Sequence, residues 1–484
     1  MPPKKKDGKK KATKVDDRPG QQPEALLETY TAFCKKIGLQ PNSEIIGSLT
    51  NEENPNKGKQ IIVGHNPKSG QPPLGPGGCR ALATAIMGIG PGMPKDPETG
   101  RTIIYEAIQE IRIWGANVGD DGASAIAELL RLGGAEIKLA YLELNNNNIT
   151  EIGAFALGRS LQRFQFGQAN LSLVTLNLDY NTTLGTAGVA ALCLGLRTNS
   201  TLKKLSLRYC NIDGESGGPL GEVLFNSQCG LNILDIQGNR LGAPYFEKNE
   251  NGEPVLDEDG EPKVASTGLL DLCPGLSKNM ALTTLILADN LINTSDWDAE
   301  GLVKFAEAIA KHPTLTSVDL LYNRIAKEKT PQETEFFETN IEQDPWRGAN
   351  ALLAATGENG NKNIATFRID ASVPDVIFTK LNKMGGGGKK GKKGKKKKCD
   401  RSLKKEVVML IDETDDEPAL YSFKYKSDGE MVGRTVGVMA QDLLFSGKDH
   451  WASQVEEVID PDDGRILVVD SDFVEAHSRY GEFV

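Results

Sequence analysis

The nine residues LVTLNLDYN, 173–181, decide how the rest of the chain is read. Leu173, Leu176 and Leu178 fall at positions one, four and six, and Asn181 closes the phrase at position nine. Alternation along a strand sends Leu176 and Leu178 to one face, and the closing Asn can bond backbone groups where the chain turns away. The same phrase recurs as Leu139, Leu142, Leu144 and Asn147, and as Leu202, Leu205, Leu207 and Cys210. Three further copies are Leu231, Leu234, Ile236 and Asn239; Leu282, Leu285, Leu287 and Asn290; and Leu315, Val318, Leu320 and Asn323. A looser one is Ile108, Ile111, Ile113 and Ala116.

Most copies are followed by a Gly and a helical stripe, such as Gly153, Ala154, Leu157 and Leu161, or Gly188, Leu192 and Leu196. A strand then a helix, repeated, predicts an α/β solenoid with a parallel inner sheet; crossovers of this kind are right-handed. The second apolar position falls at 111, 142, 176, 205, 234, 285 and 318, so one interval of 51 residues stands out among intervals of 29 to 34. The long interval holds a polar, turn-rich insertion at about 245–266, with Asn251-Gly252-Glu253-Pro254 and Asp259-Gly260-Glu261-Pro262, which reads as a hairpin. A second insertion lies at about 327–347, before Gly348, Ala349, Leu352 and Leu353. Ile61, Val63 and Asn66 open the array, and Ile364, Phe367 and Ile369 close it, for eight or nine units.

Around the array the composition changes. Residues 1–22 read as a disordered Lys-rich tail, 23–59 as a helical cap region and 60–384 as the repeat domain. A Gly/Lys linker spans 385–398, and 399–484 read as a small α/β module with strands at Val407–Ile411 and Ala419–Tyr425, a short helix at 437–445, and a hairpin at Asp460–Gly464. Residues 1–14 carry seven Lys against one Asp, and 385–398 carry eight Lys with no acid. Setting those +6 and +8 aside from the formal −10 leaves −24 on the remainder. Lysine runs of this kind attract polyanions, whether the acidic surface of tubulin, an acidic membrane or, less favoured, nucleic acid, and the same residues suit a nuclear address.

No run reaches the roughly 20 apolar residues of a membrane span, and no hydrophobic segment follows Met1-Pro2-Pro3-Lys4-Lys5-Lys6, so a secretory signal is not expected. Seven scattered cysteines read as reduced thiols of a cytosolic, nuclear or ciliary protein. The acidic turns at 257–260 and 460–464 lack the spacing of a calcium loop. His65, His312, His450 and His477 have no ligand spacing. No catalytic residue, metal site or cofactor is expected, and the protein is read as a non-enzyme. The candidate site is the concave face, where a protein partner would meet Arg112, Trp114, Tyr141, Glu143, Asn145, Asp179, Tyr180, Lys204, Arg208, Tyr209, Asp235, Gln237, Asp319 and Tyr322. Aromatic and Arg side chains dominate protein interfaces.

Across roughly residues 60 to 370 the phrase resembles that of the ribonuclease-inhibitor-like class of leucine-rich repeat proteins, which implies a βα horseshoe used for recognition. The Lys-rich start and acidic repeats are similar to those of axonemal leucine-rich repeat proteins of radial spokes and the nexin–dynein regulatory complex. That resemblance implies a scaffold of the cilium or flagellum with axonemal partners. The alternative is a GTPase-activating protein of the Ran type, whose acidic tail is replaced here by the basic 385–398 stretch. A nucleotide-switched receptor is disfavoured because no nucleotide-binding domain precedes the repeats.

Overall fold

In a computed structural model of the chain, the described residues are 18–382, apart from 19, 67–69, 89–94, 96–99, 101, 135, 164–169, 259, 293–295, 324, 326–345, 357–359 and 370–372, together with five strands between 404 and 469. Two helices lead, α1 Pro23–Lys36 and α2 Ser43–Thr50. The array then alternates β1 Gln60–Gly64, α3 Gly75–Met87, β2 Glu110–Trp114, α4 Gly119–Gly133, β3 Tyr141–Asn145, α5 Glu151–Leu161, β4 Thr175–Asn177 and α6 Gly185–Leu196. It continues with β5 Lys204–Ser206, α7 Gly217–Phe225, β6 Ile233–Asp235, a hairpin of β7 Pro244–Phe246 and β8 Val264–Thr267, and α8 Gly268–Lys278. The last units are β9 Thr284–Ile286, α9 Asp296–Ala310, β10 Ser317–Asp319, α10 Arg347–Thr356, β11 Thr366–Arg368 and α11 Asp375–Asn382.

Nine of these strands form one parallel sheet in the order β1-β2-β3-β4-β5-β6-β9-β10-β11. The register puts Ile61, Ile111, Leu142, Leu176, Leu205, Leu234, Leu285, Val318 and Phe367 side by side. All nine are buried, so a single apolar column runs the length of the solenoid. Each contributes about 1.5–3 kcal/mol by leaving water, and no turn can bury its own leucines without the turns on either side. The helices close the other side of the core. Adjacent helices approach most closely at glycines: a Cβ on Gly195 would sit 1.8 Å from the carbonyl oxygen of Gly158 on α5.

The closing Asn of the phrase is buried in five turns, at Asn147, Asn181, Asn239, Asn290 and Asn323, with Cys210 and Ala116 in the same line, whereas Asn66 of the first unit is exposed. Asn181 shows why. Its Nδ2 donates to the carbonyls of Leu144 (2.9 Å) and Leu178 (2.7 Å), while Oδ1 accepts from the N–H groups of Asn147 (2.9 Å) and Ile149 (3.1 Å). Asn323 repeats the pattern on Leu287, Leu320, Asn290 and Ile292. One side chain thus pairs backbone groups of two successive turns that would otherwise be buried unbonded.

A second ladder lines the helix-to-strand turns, at Asn170, Asn199, Asn279, His312 and Asn361, all buried. Each stands three residues ahead of the first apolar residue of a phrase. Asn199 donates to Leu161 O (2.8 Å) and accepts from Thr201 N–H (3.0 Å) and Leu202 N–H (2.8 Å). Asn170, Asn181 and Asn199 each open an Asn-X-Ser/Thr triplet of the kind that carries glycans, but all three are buried in the ladders; a fourth such triplet, at Asn293, lies outside the described residues. His312 is the exception in chemistry: Nδ1 accepts from Leu315 N–H at 3.1 Å, and Nε2 has no hydrogen-bond partner among the described residues.

The insertion after β6 is the hairpin its turn residues predict, β7 and β8 running antiparallel. Its middle adds a third segment. Glu247 N–H donates to Lys263 O (2.9 Å), Val255 N–H to Glu247 O (2.8 Å) and Lys263 N–H to Val255 O (2.8 Å), so each segment bonds the other two. The 327–347 insertion lies almost wholly outside the described residues. Beyond the lysine run, strands β12 Lys404–Ile411, β13 Leu420–Tyr425 and β14 Thr435–Gly437 form an antiparallel sheet, and β15 Val455–Asp460 pairs with β16 Gly464–Val469. The helix expected over 437–445 falls outside the described residues, save for the strand residue Gly437. Among the described residues no helix is long and apolar enough to cross a membrane.

Burial holds the pKa of His312 down at about 4, against 6.5 in the open chain. The unfolded chain therefore binds a proton near pH 6.5 that the folded chain refuses until about pH 4. Stability from this site is complete above the unfolded value and is lost as pH falls through that window, by about 1.4 kcal/mol per unit. His312→Asn, which restores the residue used elsewhere in the ladder, should flatten that part of the profile. Denaturant titrations at neutral pH and near pH 4.5 check this; equal acid loss in both proteins would contradict it.

Candidate functional site

The inner face of the sheet carries the residues between and just after the buried leucines. They form two polar clusters. In the first, on β2 and β3, the Trp114 indole N–H, the Tyr141 hydroxyl (3.1 Å) and Asn145 Nδ2 (2.7 Å) all donate to the Glu143 carboxylate. Arg112 pairs with Glu110, stands 3.9 Å from Glu143, and lies over the Tyr141 ring at 4.6 Å. The second cluster spans β4 to β6. Asp179 Oδ1 accepts from Ser206 Oγ (2.7 Å) and from the Arg208 N–H (2.8 Å), while Arg208 Nε pairs with Asp235 at 2.6 Å. Farther along, Arg368 pairs with Asp319 at 2.8 Å.

Alternation predicts the direction of these side chains but not their crowding. Trp114, Glu143, Asn145, Asp179, Tyr209, Asp235, Gln237 and Asp319 are buried, against the expectation of a face of outward-standing side chains. The cause is geometric. Neighbouring strands are about 4.8 Å apart, so long polar groups lie across one another and become each other's partners. Arg112, Tyr141, Tyr180, Lys204 and Arg208 are half-buried, and Tyr322 is 47% exposed. Burial raises the Asp179 carboxyl to about pH 6, with Asp235 adding to the rise and Arg208 opposing it. Burial likewise holds the phenols of Tyr141 and Tyr180 well above their ordinary range.

Tyr180, Tyr209 and Tyr322 stand one residue before the ladder position, and all three have left-handed backbone, with φ of 62°, 51° and 62°. Four other turns do the same there: Gly115, Asn146, Gly238 and Asp289 also have positive φ. The flip turns the next side chain, the ladder Asn, back into the core. Gly and Asn adopt it cheaply, whereas a larger residue pays roughly 1–2 kcal/mol. Three turns therefore hold a tyrosine where the fold alone asks for Gly or Asn. Tyr180 and Tyr209 stack, with ring centroids 5.3 Å apart and planes 8° from parallel. The other side of the Tyr209 ring rests on Gly238, where a Cβ would come within 2.0 Å of it. The result is an aromatic lip at the strand exits, above the Asp179 cluster.

Six cysteines are buried without disulfides, and burial raises their thiols, Cys193 to about 12. Among the described residues no group of His, Cys, Asp and Glu could hold a metal ion.

The family model described as Leucine Rich repeat matches residues 169–193 and 198–221, the units that carry Tyr180 and Tyr209. The chain is similar to the human NACHT, LRR and PYD domains-containing protein 14, with 26% identity over 252 residues, 51% of this chain and 20% of that protein. It is similar to the mouse ribonuclease inhibitor with 32% identity over 139 residues, 28% of each chain. The matched stretch spans between a fifth and just over a quarter of those relatives. Among solved structures, the yeast Rad7 and Elc1 complex aligns with 62% of this chain and 83% of that chain at 14% identity, and its TM-score of 0.19 carries no argument. The array is an α/β solenoid of leucine-rich repeats, with a parallel sheet of nine strands and a helix between most of them.

Because Tyr322 is strained and half exposed, Tyr322→Asn should leave stability unchanged or raise it by up to about 1 kcal/mol. A guanidinium chloride titration checks this; a loss of more than about 1 kcal/mol would show that the ring supports the fold.

Proposed function

We propose that the protein is a non-enzymatic scaffold that grips a protein partner in its concave face, with the aromatic lip at the strand exits as the centre of contact. The observation that carries this is the stacked Tyr180 and Tyr209 pair held in left-handed backbone. Strain of that kind persists where a side chain is needed for something besides folding. Tyr and Arg are also the residue types that concentrate binding energy at interfaces. Most polar groups beneath are already hydrogen-bonded, so a partner meets a preorganised floor and orders few side chains on arrival.

The scaffold is of the ciliary axoneme in this reading, with the two lysine-rich segments giving secondary, salt-sensitive anchorage to tubulin or another polyanion. Supporting it are the acidic repeat body and the basic segments set apart from it. Contacts from such lysines weaken as the Debye length shrinks with added salt, whereas the stacked lip is largely insensitive to salt.

The test is partner capture from detergent-extracted cilia by wild-type protein and by Tyr180→Ala/Tyr209→Ala. The double variant should lose one or more kcal/mol of affinity per ring with its thermal transition kept. Retained capture, absence of the tagged protein from cilia, or acceleration of GTP hydrolysis by a small GTPase would each overturn the proposal.

A further inference from the structure

The floor of the concave face beneath the lip has an excess of acceptors. Around Tyr180, the charged groups of β2 to β6 are Glu110, Glu143, Asp179 and Asp235 against Arg112 and Arg208, with Lys204 half-buried at the margin. Both guanidinium groups are committed, Arg112 to Glu110 and Arg208 to Asp235. Asp179 has only neutral donors, Ser206 Oγ and the Arg208 backbone N–H, and both end on Oδ1. It has no ion-pair partner among the described residues. Arg208, paired with Asp235, attracts it without forming an ion pair, so a cation of its own would relieve the cost of burying this carboxylate.

An independent feature points the same way. Asn145, 9% exposed, stands on β3 beside Asp179, two residues past the last registered pair, Glu143 and Asn177. Its Nδ2 donates to Glu143, and its Oδ1 is buried with no hydrogen-bond partner. Turning the amide over would set Oδ1 against the Glu143 carboxylate, so the orientation is fixed by chemistry. On neighbouring turns stand an acceptor without a donor, a buried carboxylate whose attracting cation, Arg208, is paired with Asp235, and the Tyr180 ring.

We infer that this place receives an arginine side chain of the protein partner, its guanidinium donating to Asn145 Oδ1 and Asp179 while its plane lies along the Tyr180 ring. Guanidinium fits because it carries five donors and no acceptor, spans neighbouring acceptors with its fork, and stacks on aromatic rings. A lysine ammonium supplies the charge but neither the fork nor the stacking plane. The inference rests on the concave face being a protein-binding surface, and it names the chemistry that surface reads.

The experiment titrates full-length protein with N-acetyl-arginine amide, N-acetyl-lysine amide and N-acetyl-citrulline amide, following the Trp114 indole N–H resonance. Arginine should shift the resonance saturably, lysine more weakly, and neutral citrulline not at all at equal concentration. Asp179→Asn keeps the acceptor for Ser206 and removes the charge; it should weaken arginine binding about five-fold or more, with Asn145→Ala as the second variant. The thermal transition of each variant verifies its fold. No arginine shift, a citrulline or lysine shift equal to arginine's, or wild-type arginine affinity in either folded variant would overturn the inference. Partner capture that needs Tyr180 and Tyr209 but is unchanged in Asp179→Asn would also overturn it, while leaving the concave-face scaffold standing.

Discussion

The ladder of buried asparagines is the constraint on which the rest of the molecule depends. A parallel solenoid must leave its sheet, cross to a helix and return, and at exits such as those of Asn181 and Asn323 two N–H groups and two carbonyls face the interior. Asn supplies two donors and an acceptor on a short stem, so Asn181 can join Leu144, Leu178, Asn147 and Ile149 in a single site. Unbonded, those groups would cost about 1–3 kcal/mol each. Cys210, the natural substitute in one turn, still donates to Leu178 O at 3.2 Å.

That requirement propagates outward. To aim the Asn inward, the preceding residue must turn left-handed, and whatever occupies that position is displayed at the lip of the concave face. The fold thus creates a row of display positions as a by-product of its own hydrogen bonding. Gly115 and Gly238 leave the row bare, while Tyr180, Tyr209 and Tyr322 fill it at an energetic cost. Display and stability meet at adjacent residues: Asn181 holds two turns together, and Tyr180 stands beside it on the lip.

The parts of the fold legible in the sequence were those set by core burial. The column from Ile61 to Phe367, the closing asparagines and the hairpin with its two Gly-Glu-Pro turns follow from apolar spacing and turn chemistry. The second ladder was equally written, as Asn or His three residues before the first leucine, but a single polar residue in a helix-to-strand turn looks like solvent-facing punctuation. The concave face was legible in direction only. That Asp235 and Gln237 are 2% exposed depends on how long side chains lie over neighbouring strands, which alternation does not encode. The tyrosine strain was recoverable by aligning the turns, since Gly115, Asn146, Gly238 and Asp289 occupy the same place in four others.

Native-state hydrogen exchange on Asn181→Ala tests the central claim most directly. If the ladder joins successive turns, the amides of Asn147 and Ile149 should lose protection together with those of β3 and β4, while β9 to β11 keep theirs. Exchange at Asn147 and Ile149 that matched the wild type would contradict the account, because those N–H groups would then be held by something other than the Asn181 side chain.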